Sequence, residues 1–386
     1  GYTNNIPNGA FRGFGGPQAA FSAEMQMAKL ADKLGIDPVE LRRRNLIKEG
    51  EPTSLQSPLP AGISIEQAVK ACAEKAGWML NERRQYQRIS KHEQKGLLKG
   101  TGFACGYKNI GFSFGYQENC WAKIELHGAS KIEKVILTHA GAEVGQGAHS
   151  AFIQMAAHGL DVPVDMIELV HSDTASTKNA GSVSASRMTF MAGNAIKGAA
   201  ELALEKWKNE ERPAIAEYKY LAPKTTPFDP ETGACEPNFA YAYVADAVEC
   251  TVDPETGKVE IKTIICADDV GKAVNPQQVV GQVEGGLVQA AGYALMEDFI
   301  QKDGITYTDK LSTYLIPTVM DIPGKIDTII LEIPDRVGPW GIRGVGEMPL
   351  LPLAPALACA VHDATGIWFD EFPLTAERVY LGLKAK

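Results

Sequence analysis

Apolar residues at helical spacing dominate the N-terminal part of the chain. Within residues 18–34 they recur at i, i+3, i+4 and i+7, which predicts a helix. Gly35 is expected to end this helix, because glycine readily adopts the left-handed conformation that follows a last turn. Asp37 and Pro38 then provide an N-cap residue and a proline at the first helical position, which predicts a second helix.

A third helix and a change in composition mark the end of this helical region. Ser64 and Gln67 have the spacing of a capping box, which predicts a helix to about Ala76. Residues 79–100 are polar and rich in Lys, Arg and Gln, so we predict a domain boundary there. The predicted division is a first domain over residues 1–95 and a second over 96–386, with lobes at about 96–208 and 209–386.

Strand patterns appear from about residue 101 onward. Two apolar runs flank the turn at 253–257 and predict a hairpin with Gly257 at a positive-φ position. Residues 209–240 are rich in Pro, Glu and Thr and predict a long loop or a junction between lobes. The predicted strands are 121–126, 133–137, 243–250, 258–264 and 327–333, and the predicted helices are 148–159, 190–207, 277–295 and 354–364. This mixed order predicts an α+β or mixed α/β fold with more than one small sheet.

Composition and charge exclude several classes of protein. The 386 residues are 45% hydrophobic and 22% charged, as in globular proteins, and contain no apolar run near the ~18 residues of a membrane span. A net charge of -9 argues against nucleic acid as a partner, because phosphate binding needs a basic surface. We therefore expect neither nucleic acid nor a membrane among its partners.

The cysteines and histidines do not form a metal site. Seven cysteines are scattered with no two closer than fifteen residues, which excludes the spacing of zinc and most iron–sulfur sites. An odd, scattered set fits reduced thiols in a cytoplasmic protein. We expect that protein side chains do not ligate any metal the chain uses.

Four glycine-bearing segments are the candidate ligand-binding elements, at residues 10–18, 141–147, 281–286 and 341–347. None is a Rossmann fingerprint or a P-loop. Three of them share a design in which backbone N–H groups stand beside Arg12, Gln146 or Gln282, which suits an anionic, heteroatom-rich ligand. A plain turn before a helix is the alternative for any single segment, but four together, in a chain with 38 glycines, favour a large cofactor.

The last of these segments carries a glutamate, Glu347, directly before the apolar run 348–353. A carboxylate in this apolar setting is a candidate proton acceptor. The alternative is a turn glutamate that points into water. Glu143 and Glu284 are further acid–base candidates and rank below it.

The four segments, in this order, resemble the molybdenum hydroxylase family, which includes xanthine dehydrogenases and aldehyde oxidoreductases. The resemblance covers the whole chain and corresponds to the C-terminal half or so of the family's molybdenum-binding large subunit. It implies the mixed α/β lobes of that family's cofactor-binding domains. Residues 1–95 would be the C-terminal part of the first molybdopterin-binding domain and 96–386 the second.

The resemblance also assigns roles to individual residues. It implies that Glu347 is the active-site base and that Phe14 and Phe114 are aromatic walls that stack on a flat substrate, with Arg12 beside both substrate and metal. For the two rings, a plain core role is the alternative. The metal would be held by the pterin dithiolene. The implied cofactor contacts are Arg12, Gly13, Phe14, Gln146, Gly147, Ala185, Ser186, Gln282 and Gly346.

The implied activity is hydroxylation of a nitrogen heterocycle, purine or nicotinate-like, or of an aldehyde with oxygen from water. The cofactor would be molybdenum–molybdopterin, plain or as the cytosine dinucleotide. Implied partners are the other molybdenum-binding half and subunits with [2Fe-2S] clusters and FAD, because the chain lacks their motifs. Two residues depart from branches of the family. Gly115 stands where purine oxidisers commonly carry a hydroxyl residue, which counts against a purine substrate. The loop with Gly13 and Phe14 lacks the cysteine of carbon monoxide dehydrogenases, which argues against that branch. A non-catalytic scaffold without molybdenum is the alternative from another class.

Overall fold

The computed structural model describes residues 9–88 and 96–385. The helices are α1 (Gly16–Leu34), α2 (Pro38–Arg44), α3 (Ile65–Lys75), α4 (Ala148–Leu160), α5 (Met188–Lys208), α6 (Pro276–Leu295), α7 (Leu350–Thr365) and α8 (Ala376–Ala385). The strands are β1 (Trp78–Leu80), β2 (Tyr86–Arg88), β3 (Leu98–Asn109), β4 (Asn119–Gly128), β5 (Ile132–Thr138), β6 (Ile167–Val170), β7 (Ala214–Leu221), β8 (Tyr241–Val252), β9 (Val259–Asp269), β10 (Gln301–Lys302), β11 (Ile305–Thr306) and β12 (Lys325–Leu331).

The N-terminal helices form where the sequence predicts them, with one correction. Gly35 ends α1 in the left-handed conformation, and Asp37 Oδ1 accepts a 2.8 Å hydrogen bond from Val39 N at the start of α2. Ser64 does precede α3, but the predicted capping box is wrong. Its hydroxyl donates to the buried carboxylate of Asp269 and makes no cap bond to the helix, because a buried carboxylate is the stronger acceptor.

One four-stranded sheet has the order β12-β9-β8-β3. The predicted hairpin is confirmed: β8 pairs antiparallel with β9, and Gly257 in its turn has a φ of 73°. Helix α7 packs on one face of this sheet and α3 on the other. At Gly102, a Cβ atom would lie 1.9 Å from the Ala356 carbonyl oxygen of α7, so glycine allows the helix to lie directly on β3.

The second four-stranded sheet has the order β6-β5-β4-β7 and is covered by α4 and α5. Its strand β7 corrects the prediction of a loop over residues 209–240. Ala214 and Ala216 are buried, and Ile215 and Glu217 are exposed, so the first four residues of the strand have the expected alternation. Its buried positions carry only alanine, which left the apolar signal too weak to outweigh the surrounding polar composition.

The mixed α/β class is confirmed, and the other predicted helices and strands lie within a few residues of their predicted bounds. Strands β1, β2, β3, β6, β10 and β11 are not among the predicted strands. The predicted strand at 327–333 is β12, and the predicted helix at 354–364 is α7, whereas α8 was not predicted. Among the described residues, no helix is both long and apolar enough to cross a bilayer. The segment 89–95, which carries part of the predicted domain boundary, lies outside the described residues.

Candidate functional site

A cavity of about 1510 Å³ opens where β3, α1, α4, α5 and α6 begin or end. Its wall includes residues from all four glycine-bearing segments, among them Arg12, Gly147, Gln282 and Glu347. A concave site of this size can hold a ligand larger than an ordinary small substrate. The fold thus brings together segments that are more than 300 positions apart in sequence.

Arg12 ties three of these segments to one another. Its Nη2 donates to Gln282 at both the backbone oxygen, 3.0 Å away, and side-chain Oε1, 3.1 Å away, and its Nε donates to the Gly346 carbonyl. Burial lowers the pKa of the Arg12 guanidinium, and the nearby negative charge of Glu347 opposes that shift. Arg12 therefore fixes the backbone turn that carries Glu347.

The Glu347 carboxylate lies in the cavity wall and is held by three donors. Oε1 accepts from Gly13 N at 3.1 Å, while Oε2 accepts from Ser186 Oγ at 3.1 Å and from Lys108 Nζ at 3.0 Å. Glu347 N also donates to Ser186 Oγ at 3.0 Å. The residue is 9% exposed, so the alternative of a turn glutamate that points into bulk water is wrong.

Lys108 corrects the expected apolar surroundings of Glu347. It stands near the end of β3, lines the cavity and is 9% exposed. Sequence reasoning missed it because 239 positions separate the two residues and no motif contains the lysine. The one available signal is a basic residue near the end of a strand whose central positions are apolar or small.

Phe14 and Phe114 both line the cavity. They are 70% and 53% exposed, so the alternative of ordinary core aromatics is wrong. Both have positive φ values, 41° and 58°, which is uncommon for bulky residues and indicates that the surrounding loops impose their conformation. The two rings are therefore displayed to the cavity by constrained backbone.

The loop at 141–147 lines the cavity with Gln146 and Gly147. The Gln146 amide closes its own loop, since Oε1 accepts from Val144 N at 2.6 Å and Nε2 donates to Ala142 O at 2.8 Å. Glu143 also braces the loop. Burial raises the pKa of Glu143, but three backbone N–H donors outweigh that effect and hold its pKa below the usual value.

The candidate Glu284 lies on an exposed position of α6 and does not line the cavity. Gly13 is also absent from the cavity wall, although its N–H binds Glu347. Ala185 and Ser186 do line the cavity, and both have positive φ values, 57° and 49°. Their turn is bonded to the Phe114 loop through Gly111 N, which donates to Ala185 O at 2.9 Å.

The lining of the cavity fits an organic cofactor rich in heteroatoms. A Cβ at Gly346 would lie 3.7 Å from Ser186 Oγ and 3.9 Å from Gln282 Oε1, so glycine leaves a recess between two polar side chains. Over residues 9–88 and 96–385, no group of three or more His, Cys, Asp or Glu side chains could hold a metal ion. Amide, hydroxyl and guanidinium groups suit the heteroatoms and phosphate of a pterin.

Comparisons with known proteins identify cofactor-binding domains in this chain. A family model described as a molybdopterin cofactor-binding domain matches residues 71–214 and 201–323, and a second model of the same description matches residues 1–46. The chain is 32% identical to a putative xanthine dehydrogenase molybdenum-binding subunit of Escherichia coli, with 98% of this chain and 54% of that protein covered. It is 31% identical to an aldehyde oxidoreductase of Megalodesulfovibrio gigas, covering 99% of this chain and 42% of that protein.

Solved structures show the same fold. The crystal structure of the aldehyde oxidoreductase from Desulfovibrio desulfuricans superposes with a TM-score of 0.83 at 30% identity, over 97% of this chain and 41% of that one. The chain thus spans about half the length of the curated relatives it matches, or less. The chain belongs to the molybdopterin cofactor-binding domain family of molybdenum hydroxylases, the group to which these xanthine dehydrogenases and aldehyde oxidoreductases belong.

Proposed function

We propose that this chain is part of the molybdopterin-binding subunit of a molybdenum hydroxylase and that Glu347 is its active-site base. The observation that carries the proposal is the setting of the Glu347 carboxylate. It lies in the wall of a large cavity and is fixed by Gly13 N, Ser186 Oγ and Lys108 Nζ. A general base needs this combination of access and fixed orientation.

The cofactor is held by residues of the cavity wall and its support. Arg12, Gln282 and Gly346 form one side, and the other contacts come from Gly13, Phe14, Gln146, Gly147, Ala185 and Ser186. The recess at Gly346 supports this assignment, because it lets a ligand approach the backbone closely. When bound, the molybdenum–pterin group, plain or as the cytosine dinucleotide, supplies the oxygen-transfer and two-electron redox chemistry.

The substrate is a nitrogen heterocycle, purine or nicotinate-like, or an aldehyde. A flat ring would stack between Phe14 and Phe114, with the Arg12 guanidinium close to it. The exposure of both rings to the cavity supports this arrangement. The oxygen added to the substrate derives from water.

Glu347 accepts the proton that leaves the attacking oxygen, and Oε1 is the atom suited to that step. Oε2 already accepts from both Ser186 Oγ and Lys108 Nζ, whereas Oε1 accepts from Gly13 N. A carboxylate oxygen has room for about two hydrogen bonds, which leaves Oε1 the freer acceptor. Glu347 does not ligate the metal in this proposal.

The share of the relatives that the chain covers supports one proposed partner, the other molybdenum-binding half. The other molybdenum-binding half and subunits with [2Fe-2S] clusters and FAD complete the enzyme and receive the electrons. We divide the chain into 1–95, the C-terminal part of the first molybdopterin-binding domain, and 96–386, the second. A cytoplasmic location fits the seven free cysteines.

Metal and pterin analysis of the chain purified with its natural partners tests the proposal. We expect about one molybdenum and one pterin per copy of this chain, with pterin fluorescence after oxidation. A complex that contains neither would contradict the enzyme and favour the non-catalytic scaffold.

A further inference from the structure

We propose that the buried ion pair between Glu118 and Arg187 positions the Glu347 carboxylate, through the turn at Ala185 and Ser186. This inference rests on the proposed role of Glu347. Neither Glu118 nor Arg187 lines the cavity, so both would act through other residues and would not touch the reacting atoms. We call the two residues the Glu118–Arg187 pair.

The pair is nearly sealed from solvent and its hydrogen bonds are complete. Arg187 Nε lies 2.9 Å from each carboxylate oxygen of Glu118, and Nη2 lies 2.8 Å from Oε2; the side chains are 1% and 2% exposed. The other guanidinium donors reach backbone oxygens of Ala180 at 3.1 Å, Ser182 at 2.6 Å and Asn119 at 2.8 Å. All five N–H groups of the guanidinium are thus used.

The pair joins two loops that line the cavity. Glu118 Oε1 accepts a 2.9 Å hydrogen bond from Phe112 N, in the loop that carries Phe114. Arg187 binds the backbone of residues 180–182, which precede the Ala185–Ser186 turn. A Cβ at Gly181 would lie 2.7 Å from Arg187 Nη1, so the guanidinium lies directly against that backbone. Movement of the first loop would break its hydrogen bond to Glu118, and movement of the second would break its hydrogen bonds to Arg187.

The turn needs such a restraint. Ala185 and Ser186 are consecutive non-glycine residues with positive φ, 57° and 49°, a strained conformation that persists only where the surroundings impose it. Arg187 follows them directly and is the N-cap residue of α5. The Glu118–Arg187 pair therefore holds the residue next to the strained turn.

Ser186 connects the turn to Glu347 through two hydrogen bonds. Its Oγ donates to Glu347 Oε2 at 3.1 Å and accepts from Glu347 N at 3.0 Å, so it fixes both the backbone and the carboxylate of the proposed base. The Gly344 backbone also packs on this turn, since a Cβ there would lie 2.1 Å from Ser186 O. A shift of the turn would rotate the carboxylate, and displacement of a reacting group by about 1 Å can cost about 100-fold in rate.

The chain offers a matched control in a second buried ion pair. Arg42 Nε lies 2.7 Å from Glu24 Oε2, with side chains 2% and 11% exposed. Glu24 also accepts from a backbone amide, that of Cys105, at 2.9 Å. Neither Arg42 nor Glu24 lines the cavity or bonds to a residue that holds Glu347. Its loss should therefore cost stability without moving the proposed base.

The test compares Glu118→Gln and Arg187→Lys with Glu24→Gln in the assembled, cofactor-loaded enzyme. Arg187→Lys keeps a buried cation beside Glu118 but loses the planar fork. For both variants of the pair we expect kcat to fall about 100-fold with KM changed by less than about threefold, at unchanged molybdenum content. For Glu24→Gln we expect a lower unfolding midpoint and a kcat within about twofold of wild type.

Hydrogen exchange gives a readout that is independent of activity. In Glu118→Gln we expect faster exchange of the amides of Gly111, Phe112 and Glu347, and in Glu24→Gln we expect these amides to exchange at the wild-type rate. Equal losses of kcat in all three variants, or unchanged exchange at Glu347 in Glu118→Gln, would overturn the proposal. If Glu347→Gln itself kept the wild-type rate, the role of the base would fail, and the exchange data would still decide whether the pair holds Glu347.

Discussion

The amino nitrogen of Lys108 lies 3.0 Å from Oε2 of Glu347, with the two side chains only 9% and 12% exposed. The proposed base is therefore one half of a nearly buried ion pair. Breaking such a pair by removing one partner leaves an uncompensated charge and is strongly destabilising. The folded state therefore needs both partners in place, and the pair also orients the carboxylate.

A double-mutant cycle measures the coupling energy between Lys108 and Glu347. We expect Lys108→Met to lower the free energy of unfolding by roughly 3 kcal/mol, because the Glu347 carboxylate loses its counter-ion. In a Glu347→Gln background the same lysine substitution should cost clearly less, giving a coupling energy of about 1–3 kcal/mol in urea unfolding. Additive effects would show that the lysine and glutamate do not interact in the folded protein.

Gly346→Ala separates cofactor binding from folding. A Cβ there makes only ordinary contacts, with Ser186 Oγ at 3.7 Å and Gln282 Oε1 at 3.9 Å. We therefore expect wild-type stability but reduced molybdenum and pterin content, because the methyl group fills the recess assigned to the cofactor. Gly281→Ala, with nothing within 4 Å of its Cβ and no place in the cavity wall, is the control and should keep full cofactor content. Full content in Gly346→Ala would count against the recess as a binding surface.

Phe14→Ala and Phe114→Ala distinguish the two substrate classes. For a flat heterocycle, loss of either stacking ring should raise KM by about 10-fold, since aromatic pairs contribute about 0.5–1.5 kcal/mol beyond their buried area. An aliphatic aldehyde should be affected much less. Phe228→Ala, at an exposed ring outside the cavity, serves as the control. Equal KM values for wild type and both cavity variants with every heterocycle would argue against stacking.

His139 gives the protein a predicted loss of stability in acid. Burial, the largest cause, together with the positive charges of His149 and Arg187 lowers the pKa of His139 to about 3. Its Nδ1 accepts a hydrogen bond from Gly141 N at 2.8 Å. The unfolded chain, in which this histidine has its ordinary pKa of 6.5, binds a proton that the folded chain excludes. The contribution of His139 to the free energy of unfolding is therefore fully present above pH 6.5 and is lost as the pH drops from there toward 3.

Urea unfolding of His139→Asn checks this sign. The asparagine Oδ1 can still accept from Gly141 N, but the residue does not titrate. For each pH unit below the ordinary histidine pKa of 6.5, the free energy of unfolding of the wild-type protein should fall by about 1.4 kcal/mol more than that of the variant. His158→Asn, at an exposed position, should keep the wild-type pH dependence. Parallel curves for wild type and His139→Asn would contradict the prediction.

Seven of the eight described helices and five of the twelve described strands could be predicted, because these elements carry local signals. Helix α1 has an apolar stripe and a glycine stop, and the β8–β9 hairpin has a turn whose Gly257 adopts positive φ. Among the described elements, β7, α8 and the strands β1, β2, β3, β6, β10 and β11 were not predicted. Strand β7 buries only alanines on one face, and α8 buries only Val379. Such short apolar patterns depend on tertiary contacts that no local window contains.

The site could be predicted only where residues lie in recognisable segments. Arg12, Gln282 and Glu347 are in glycine-bearing segments, and the structure brings them together. Lys108 and Glu118 have no such context, because their roles arise from contacts with residues 239 and 69 positions away. The roles of the cavity residues toward cofactor and substrate stay predictions until they are measured.

The most direct test of the central claim is the turnover of Glu347→Gln in the assembled enzyme with its cofactor content measured in parallel. Glutamine keeps the shape of the side chain but cannot accept the proton. We predict wild-type molybdenum and pterin content with a kcat lower by several orders of magnitude. A near-normal kcat in the fully loaded variant would contradict the assignment of Glu347 as the base.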